Sequence, residues 1–588
     1  MTWESTREKV LAFPEIAKLI KDDPQAIAKV DAYLKEMHSV INFKIGRAVS
    51  RIISASLRRL YNNVYLSVPP DIDLVALAEQ NKVVFVPNHQ SHADYLIFNT
   101  SIYEKYGIAT YCFGGDNLNL FLVGPLLSRL GTVFIRRKFN GNEVYKMTFK
   151  AYLCYLMDEI PNPLEFYFEG GRSRNGMLLT PKFGMFKFLL SNQDYLAKSQ
   201  ENAKPLVFLP VSIVHEDLPE QQSMAKEVLG LPKTKESLMQ VIKALRVLGK
   251  HLGTVHIKMG EPVFYRPNEG DERQIVEKIA FACYREVARG IVVTPTALLA
   301  IIALDCPEST LSIETILFNA ERIIEFCKKV KVPLAPSLQE EEWHDDFKET
   351  LSTFCQRNVI QKITMPHLGQ AYYTLSDSKR VEMAYFKNTI LHHFLVPFLI
   401  YLAWVKTKNN QLGSEKDIVH FFLERRKELK YEFYLPTISK MWQQAFVLLS
   451  DIVHKPIKHI SDWLALSLEE KETIGRSLSY AGYFFRYKYE AYGLAMLTLL
   501  RLASKHFTEQ DYLAMSREIF ALEQMNGNII KFPESYSIPI MKNTLNFAIN
   551  SQLVNKNDQY YTVIDIPAVK AKLDHFLQDL FDIYRSKF

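Results

Sequence analysis

The stretch from Lys82 to Tyr95, KVVFVPNHQSHADY, runs from an apolar strand into a histidine-rich turn and on into helix-compatible sequence. Four successive β-favouring residues, Val83, Val84, Phe85 and Val86, predict a strand buried on both faces, as inside an α/β sheet. His89 then stands at a strand end, and Asp94 one helical turn into the next segment. So placed, the carboxylate fixes the imidazole tautomer and stabilises its charged form, and the pair can deprotonate a hydroxyl. Taken alone, a neutral histidine satisfied by its neighbours is the competing reading. With 15 histidines in the chain the spacing by itself selects little. His506 and Asp511 share it, in a helical, strandless stretch, and read as surface or packing residues. Context picks out His89, with His92 in support.

Outward from this stretch, short β-like runs alternate with helical ones: KVVFVPN, ATYCFGG, GTVFIRR, LEFYFEG, PLVFLPVSIV and TVHIKMGEPV. The alternation predicts an α/β domain over residues 76–290 with a central, largely buried sheet and functional residues at strand ends. Beyond Val292 to Pro295 the strand signals thin, and residues 291–588 read as a mostly helical C-terminal domain. Residues 1–75 read as an N-terminal helical segment. Within it, Ile41, Ile45, Val49, Ile52, Ile53, Leu57 and Leu60 fall on one helical face, with Lys44, Arg47, Arg51 and Arg58 opposite. Such a helix suits an anionic bilayer surface, and equally its own domain with a solvated basic face. Two segments, Asn358 to Leu375 and Leu553 to Val563, read as a helix followed by a short hairpin ending in Tyr-Tyr-Thr, a winged-helix-like pattern. Neither hairpin is rich in Lys or Arg, which favours a structural role over nucleic-acid binding.

The totals exclude several classes. The 588 residues are enough for two or three domains, and 48% hydrophobic, 12% aromatic and 23% charged residues describe an ordered globular protein. A formal charge of +6 does not by itself argue for nucleic acid. Cys112, Cys154, Cys283, Cys306, Cys327 and Cys355 never form a C-x-x-C pair, which argues against a disulfide framework and a zinc site and fits a reducing compartment. The charged N-terminus is unlike a signal peptide. The most apolar run, Phe394 to Val405, has about twelve residues where spanning needs roughly 20, so no membrane span is expected. No metal or cofactor is expected.

Three further blocks bear chemistry. GTVFIRRK ends a strand at Arg136, Arg137 and Lys138, and guanidinium groups grip phosphate oxygens in pairs. FYFEGGRSRNG places Glu169, Gly170 and Gly171 in a tight turn followed by Arg172, Ser173 and Arg174, with Lys182 beyond, an anion cradle that is neither a Walker loop nor a dinucleotide fingerprint. A basic edge strand and a solvated turn are the plainer readings of these two. FLPVSIVHE carries Pro210 inside a strand, which predicts an edge or a bulge beside a site.

In order and spacing, NHQSHADYL, GPLLSRLGTVFIRRKFNGN, FYFEGGRSRNG and FLPVSI together resemble the motifs of the glycerol-3-phosphate acyltransferases, closest to the bacterial membrane-bound branch, and the likeness runs through VTPTALLA and YFKNTILHHFLVP toward the C-terminus. The resemblance implies a catalytic His-x-x-x-x-Asp dyad, His89 and Asp94, without a covalent acyl-enzyme. It implies glycerol phosphate binding by Arg136, Arg137, Glu169, Gly170, Arg172 and Ser173, to which charge and position add Arg174 and Lys182, and an acyl-donor site near Pro210. Acyl-CoA or acyl carrier protein as donor, and the cytoplasmic face of the cell membrane as location, come with it. Two departures stand out. The chain is shorter than the long bacterial members, and Gln90 and Ala93 replace Arg and Met of the first motif, so Gln90 is expected to alter substrate preference. Dihydroxyacetone phosphate or lysophosphatidic acid as acceptor, and a non-catalytic lipid-binding scaffold, are the rivals; a serine hydrolase lacks its G-x-S-x-G elbow.

Overall fold

The computed structural model describes residues 2–116, 119, 123–136, 141–231, 252–267, 270–305, 310–365, 370–433, 435–528 and 530–585. The chain divides into two compact units, Met1–Ser173 with Leu178–Pro219 and Glu236–Ile291, and Arg174–Met177 with Glu220–Lys235 and Val292–Phe588.

The first unit is built on an eight-stranded mixed sheet: β1 (Asn63–Ser67), β2 (Lys82–Pro87), β3 (Tyr111–Gly115), β4 (Thr132–Ile135), β5 (Leu164–Glu165), β6 (Leu206–His215), β7 (Thr254–Met259) and β8 (Val263–Tyr265). The order is β1-β7-β6-β2-β5-β3-β4, with β8 also on β6. From β6 through β2, β5 and β3 to β4 every pairing is parallel, whereas β7 and β8 run antiparallel to β6. Every residue of β2 and β6 is buried, which is why both read as mostly apolar runs, broken only by Lys82, Ser212 and His215.

Two expectations are corrected and one is narrowed. The strand expected over LEFYFEG pairs only at Leu164–Glu165. Phe166 N–H still bonds Phe85 C=O, but the chain then turns, with Gly170 N–H on Tyr167 C=O and Gly170 at φ +69°. Pro210 is not at an edge but at the other place expected for it, a bulge: residues 209 and 210 of β6 oppose three residues, 260–262, between β7 and β8. It lies in the central strand β6, and its C=O accepts from Gly260 N–H at the joint where β7 gives way to β8. A residue's N and C=O face the same neighbour, so the donor that proline lacks is missing only at that break. Thirdly, β1 is an additional edge strand formed by residues assigned to the helical N-terminal segment, parallel to β7.

The helices of this unit before β6 are α1 (Trp3–Ala12), α2 (Pro14–Asp22), α3 (Ala26–Met37), α4 (Phe43–Leu60), α5 (Leu74–Gln80), α6 (Asp94–Tyr106), α7 (Gly124–Arg129), α8 (Glu143–Asp158) and α9 (Phe183–Ser199). The N-terminal helices α1 and α3 pack on α8. Helix α4 is capped by Asn42 Oδ1, which accepts from Lys44 and Ile45 N–H. Its inner face is the one the apolar spacing describes, with Ile41, Ile45, Val49, Ile53, Leu57 and Leu60 half-buried, except that two serines share it and Ile52 does not. Ser50 and Ser54 are buried between half-buried Val49, Ile53 and Leu57, while Ile52 is 67% exposed and Phe43 51%.

The second unit is mostly helical. A three-stranded antiparallel sheet joins Thr310–Ser312, Gln370–Leu375 and Ile360–Met365, and a hairpin joins Val554–Asn557 to Tyr560–Val563. The run Asp377–Lys408 is long and apolar enough to cross a membrane, a length the sequence reading did not anticipate, and 89% of its most apolar window is buried within the protein. Its cations are paired: Arg380 with Glu534, Lys387 with Asp305, and Lys406 with Asp579 and Asp582. These are the contacts of a core helix. Five cysteines are free thiols; Cys306 lies outside the described residues.

Candidate active site

The site forms where β2 ends. Asn88 holds the outgoing chain against β6: its Nδ2 donates to Ile213 C=O at 3.0 Å and its Oδ1 accepts from Ile213 N–H at 2.7 Å. His89 follows, and its Nδ1 lies 2.9 Å from Asp94 Oδ2. The same oxygen accepts the backbone N–H groups of Gln90 at 2.7 Å and Ser91 at 2.9 Å, and Asp94 is the first residue of α6, where the helix dipole favours an anion. Asp94 is fully buried. Burial alone would raise its carboxyl, but hydrogen bonds and charge from His215 and His89 outweigh it and hold the group below the usual carboxylate range. A carboxylate accepts, so His89 Nδ1 carries the proton and Nε2 presents a lone pair. The two side chains paired from the sequence are thus brought into hydrogen-bond contact.

A second block meets this one. Ser173 N–H donates to His89 C=O at 3.0 Å, and the Tyr167 ring lies 4.5 Å from the His89 ring, centroid to centroid. Gly170 is in the left-handed region, which favours glycine, and a Cβ there would crowd Lys182 Cγ at 3.1 Å. Lys182 is exposed, with its N–H on Phe168 C=O at 2.8 Å. Arg172 and Ser173 are buried. Glu169 is buried too; its Oε1 accepts from Leu179 N–H at 3.3 Å, and burial raises its carboxyl well above the ordinary range. It props the loop from within.

The remaining expectations are distributed less evenly. Arg136 ends β4, its side chain clasped by Glu36 through Nε–Oε1 at 2.9 Å and Nη2–Oε2 at 2.7 Å, its guanidinium over Tyr33 and Tyr145. Arg137 and Lys138 lie outside the described residues. Arg174, the residue after Ser173, falls in the second unit, where its Nε is 3.4 Å from Glu227 Oε2. Pro210 lies one residue before Val211, whose C=O accepts Asn88 N–H. Gln90 is buried and its Oε1 accepts from His215 N–H at 3.3 Å, so the departure from the first motif is turned into the sheet. The residue missed by sequence reasoning is His215. Its Nε2 lies 2.7 Å from Asp94 Oδ1 with both side chains fully buried. The available signal was a lone histidine closing a strand whose other residues, Ser212 apart, are apolar.

Beside the dyad, α4, α6, α7 and the strands β3 and β4 border an open, mostly apolar cleft, whose wall includes Tyr95 and Leu96, next in sequence to Asp94. Asn99, Thr110 and Cys112 also line it. Behind them Glu165 is buried, its Oε2 accepting from Asn99 Nδ2 at 2.8 Å and Thr110 Oγ1 at 3.0 Å.

Comparison with known proteins places the chain in a family. Residues 72–214 match the acyltransferase family model, and residues 224–557 match that of the glycerol-3-phosphate acyltransferase C-terminal region. Relatives named glycerol-3-phosphate acyltransferase include one from Xanthomonas campestris, 29% identical over 69% of this chain and 46% of that protein. One from Shewanella baltica is 26% identical over 77% and 58%, and one from Xylella fastidiosa 27% over 78% and 52%. The chain spans about half the length of the curated relatives it matches. The solved 1-acyl-sn-glycerophosphate acyltransferase of Thermotoga maritima aligns at 18% identity over 41% of this chain and 78% of that one, with a TM-score of 0.23. With its C-terminal model matched over more than half of the residues, the chain belongs to the glycerol-3-phosphate acyltransferase family.

Proposed function

We propose that the protein transfers a fatty acyl group from a thioester, acyl-CoA or acyl carrier protein, to the sn-1 hydroxyl of glycerol 3-phosphate, yielding lysophosphatidic acid, the first acylation of phospholipid synthesis. The observation that carries this reading is the Asp94–His89 bond, which leaves Nε2 as the base. His89 Nε2 takes the hydroxyl proton as the oxygen attacks the thioester carbonyl. The C–S bond then breaks, and the departing thiolate recovers the proton from the imidazolium. Proton transfer of this kind is worth about 10²- to 10⁴-fold, and orientation of the acceptor supplies much of the rest.

Gly170, Arg172, Ser173 and Lys182 would hold the phosphate together with Arg136, which follows β4 farther along the same strand-end edge, and with Arg137, which lies outside the described residues. Two strands, β5 and β3, separate β2 from β4, so the two groups stand about 14 Å apart at the backbone, and Arg136 must exchange Glu36 for substrate to take part. The apolar cleft beside Asp94 would take the acyl chain. Exposed Phe43 and Ile52 among Lys44, Arg47 and Arg51 on α4 fit an anionic membrane surface at the cytoplasmic face.

The test offers glycerol 3-phosphate, dihydroxyacetone phosphate and lysophosphatidic acid in turn, each with palmitoyl-CoA and palmitoyl-acyl carrier protein, and separates the products by thin-layer chromatography. Acylation of glycerol 3-phosphate above the other two supports the reading. Preference for either rival acceptor, or transfer to none, overturns it.

A further inference from the structure

Asp94 has two carboxylate oxygens, and the dyad uses one. Oδ2 receives His89 Nδ1–H and two backbone N–H groups, whereas Oδ1 meets the side chain of His215, at 2.7 Å from Nε2. His215 reaches it because β6 continues for four residues beyond Val211, the partner of Pro87 at the end of β2. Its main chain is fixed to the same loop through Gln90 Oε1, and the Tyr61 ring lies 6.2 Å from the imidazole. The tautomer follows from the contacts. A lone pair on Nε2 would face the lone pairs of a carboxylate, so Nε2 bears the proton. Nδ1 has no hydrogen-bond partner among the described residues. A buried imidazole with one nitrogen unmet is poorly explained as packing, and its one strong polar contact is the catalytic carboxylate.

We propose that His215 is a positioning residue of this reaction: donating from Nε2, it pins Asp94 Oδ1, keeps the carboxylate in the orientation that serves His89 Nδ1, and limits its basicity. It touches no substrate, and its own proton stays on Nε2 throughout. The inference rests on the reading of His89 as the base. The titratable groups around Asp94 are His89, His215, Glu169 and Tyr167. Of these only the two histidines hydrogen-bond it. Without the His215 donor the Asp94 carboxylate becomes more basic and favours protonated His89, so the base is lost at a higher pH.

The experiment compares His215→Phe, which keeps a ring without a donor, with His215→Gln, whose Nε2 can replace the donor. For His215→Phe the account expects kcat to fall about 10- to 100-fold with both KM values within about twofold, and the acid limb of the pH–rate profile to move up by about half a unit or more. His215→Gln recovers most of the rate and the wild-type limb. An unchanged rate and profile in folded His215→Phe, or equal losses in both variants, overturns the proposal. If His215→Phe does not fold by circular dichroism, His215→Gln decides: a loss of about tenfold or more, or a shifted limb, refutes it. Should the wild-type protein acylate no acceptor, the functional reading falls, yet His215 is still tested. The pH midpoint for diethylpyrocarbonate labelling of His89, read by mass spectrometry, rises in His215→Phe if the proposal holds and stays put if it does not.

Discussion

At Asp94 burial and hydrogen bonding oppose each other, and four donors win. Asp94→Asn replaces an acceptor by an amide that can donate, which permits the wrong His89 tautomer. We expect kcat to fall about 10³- to 10⁴-fold with the KM for the acceptor nearly unchanged, measured by steady-state kinetics. At Glu165 burial wins instead and pushes the carboxyl from 4.5 up to about 7. The folded protein therefore keeps a proton that the unfolded chain releases, and stability contributed by this group is lost as pH rises from 4.5 to about 7. Glu165→Gln abolishes that titration. Relative to wild type it is expected to gain about 1–3 kcal/mol at pH 8 and little at pH 4.5, read from urea melts at the two pH values.

Among the elements, the loop between β2 and α6 depends on Asn88 copying a ladder partner of Ile213. Asn88→Ala leaves both backbone groups of Ile213 short of a partner and is expected to cost about 1–3 kcal/mol in thermal or urea unfolding, with a larger proportional loss of activity because His89 is the next residue. The sheet also shows which features sequence can carry. β2 and β6 were legible because strands buried on both faces must be mostly apolar. β1 was not, because its residues alternate between exposed and half-buried at the sheet edge and NVYLS is flanked by Asn and Pro rather than by an apolar run. Pro210 marked a bulge and not an edge, because local chemistry registers a missing donor but not the strand order around it. On α4, apolar spacing marked the inner face, except that Ser50 and Ser54 share it and Ile52 points outward. His89, Asp94 and the glycine turn were readable from local sequence, the pair because it follows an apolar strand rather than from its spacing. The His215–Asp94 contact spans 121 residues and needs the register of β6 against β2.

For the molecule as a whole, two features carry consequences. The second unit holds a buried charge network in which Glu534 accepts from Arg380 at 2.6 and 2.8 Å and from Arg486 at 3.1 Å, with both guanidiniums over the Phe532 ring. Glu534→Gln leaves two buried cations under-compensated and is expected to destabilise that unit by about 3–5 kcal/mol, seen as an earlier loss of helical circular dichroism in urea. On the first unit, if α4 rests on an anionic bilayer, the pair Arg47→Glu and Arg51→Glu lowers binding to phosphatidylglycerol vesicles by about tenfold or more, because each cation near such a surface is worth about 1 kcal/mol. Equal sedimentation with the vesicles by wild type and variant contradicts that placement of the helix.

The central claim is that His89, oriented by Asp94, removes the proton of the glycerol 3-phosphate hydroxyl. The direct measurement is incorporation of radiolabelled glycerol 3-phosphate into lipid by the folded His89→Ala variant beside wild type, with a saturating acyl thioester. The account predicts robust incorporation by wild type and a loss of at least about 10²-fold in the variant; comparable incorporation by both would show that the transfer proceeds without this base.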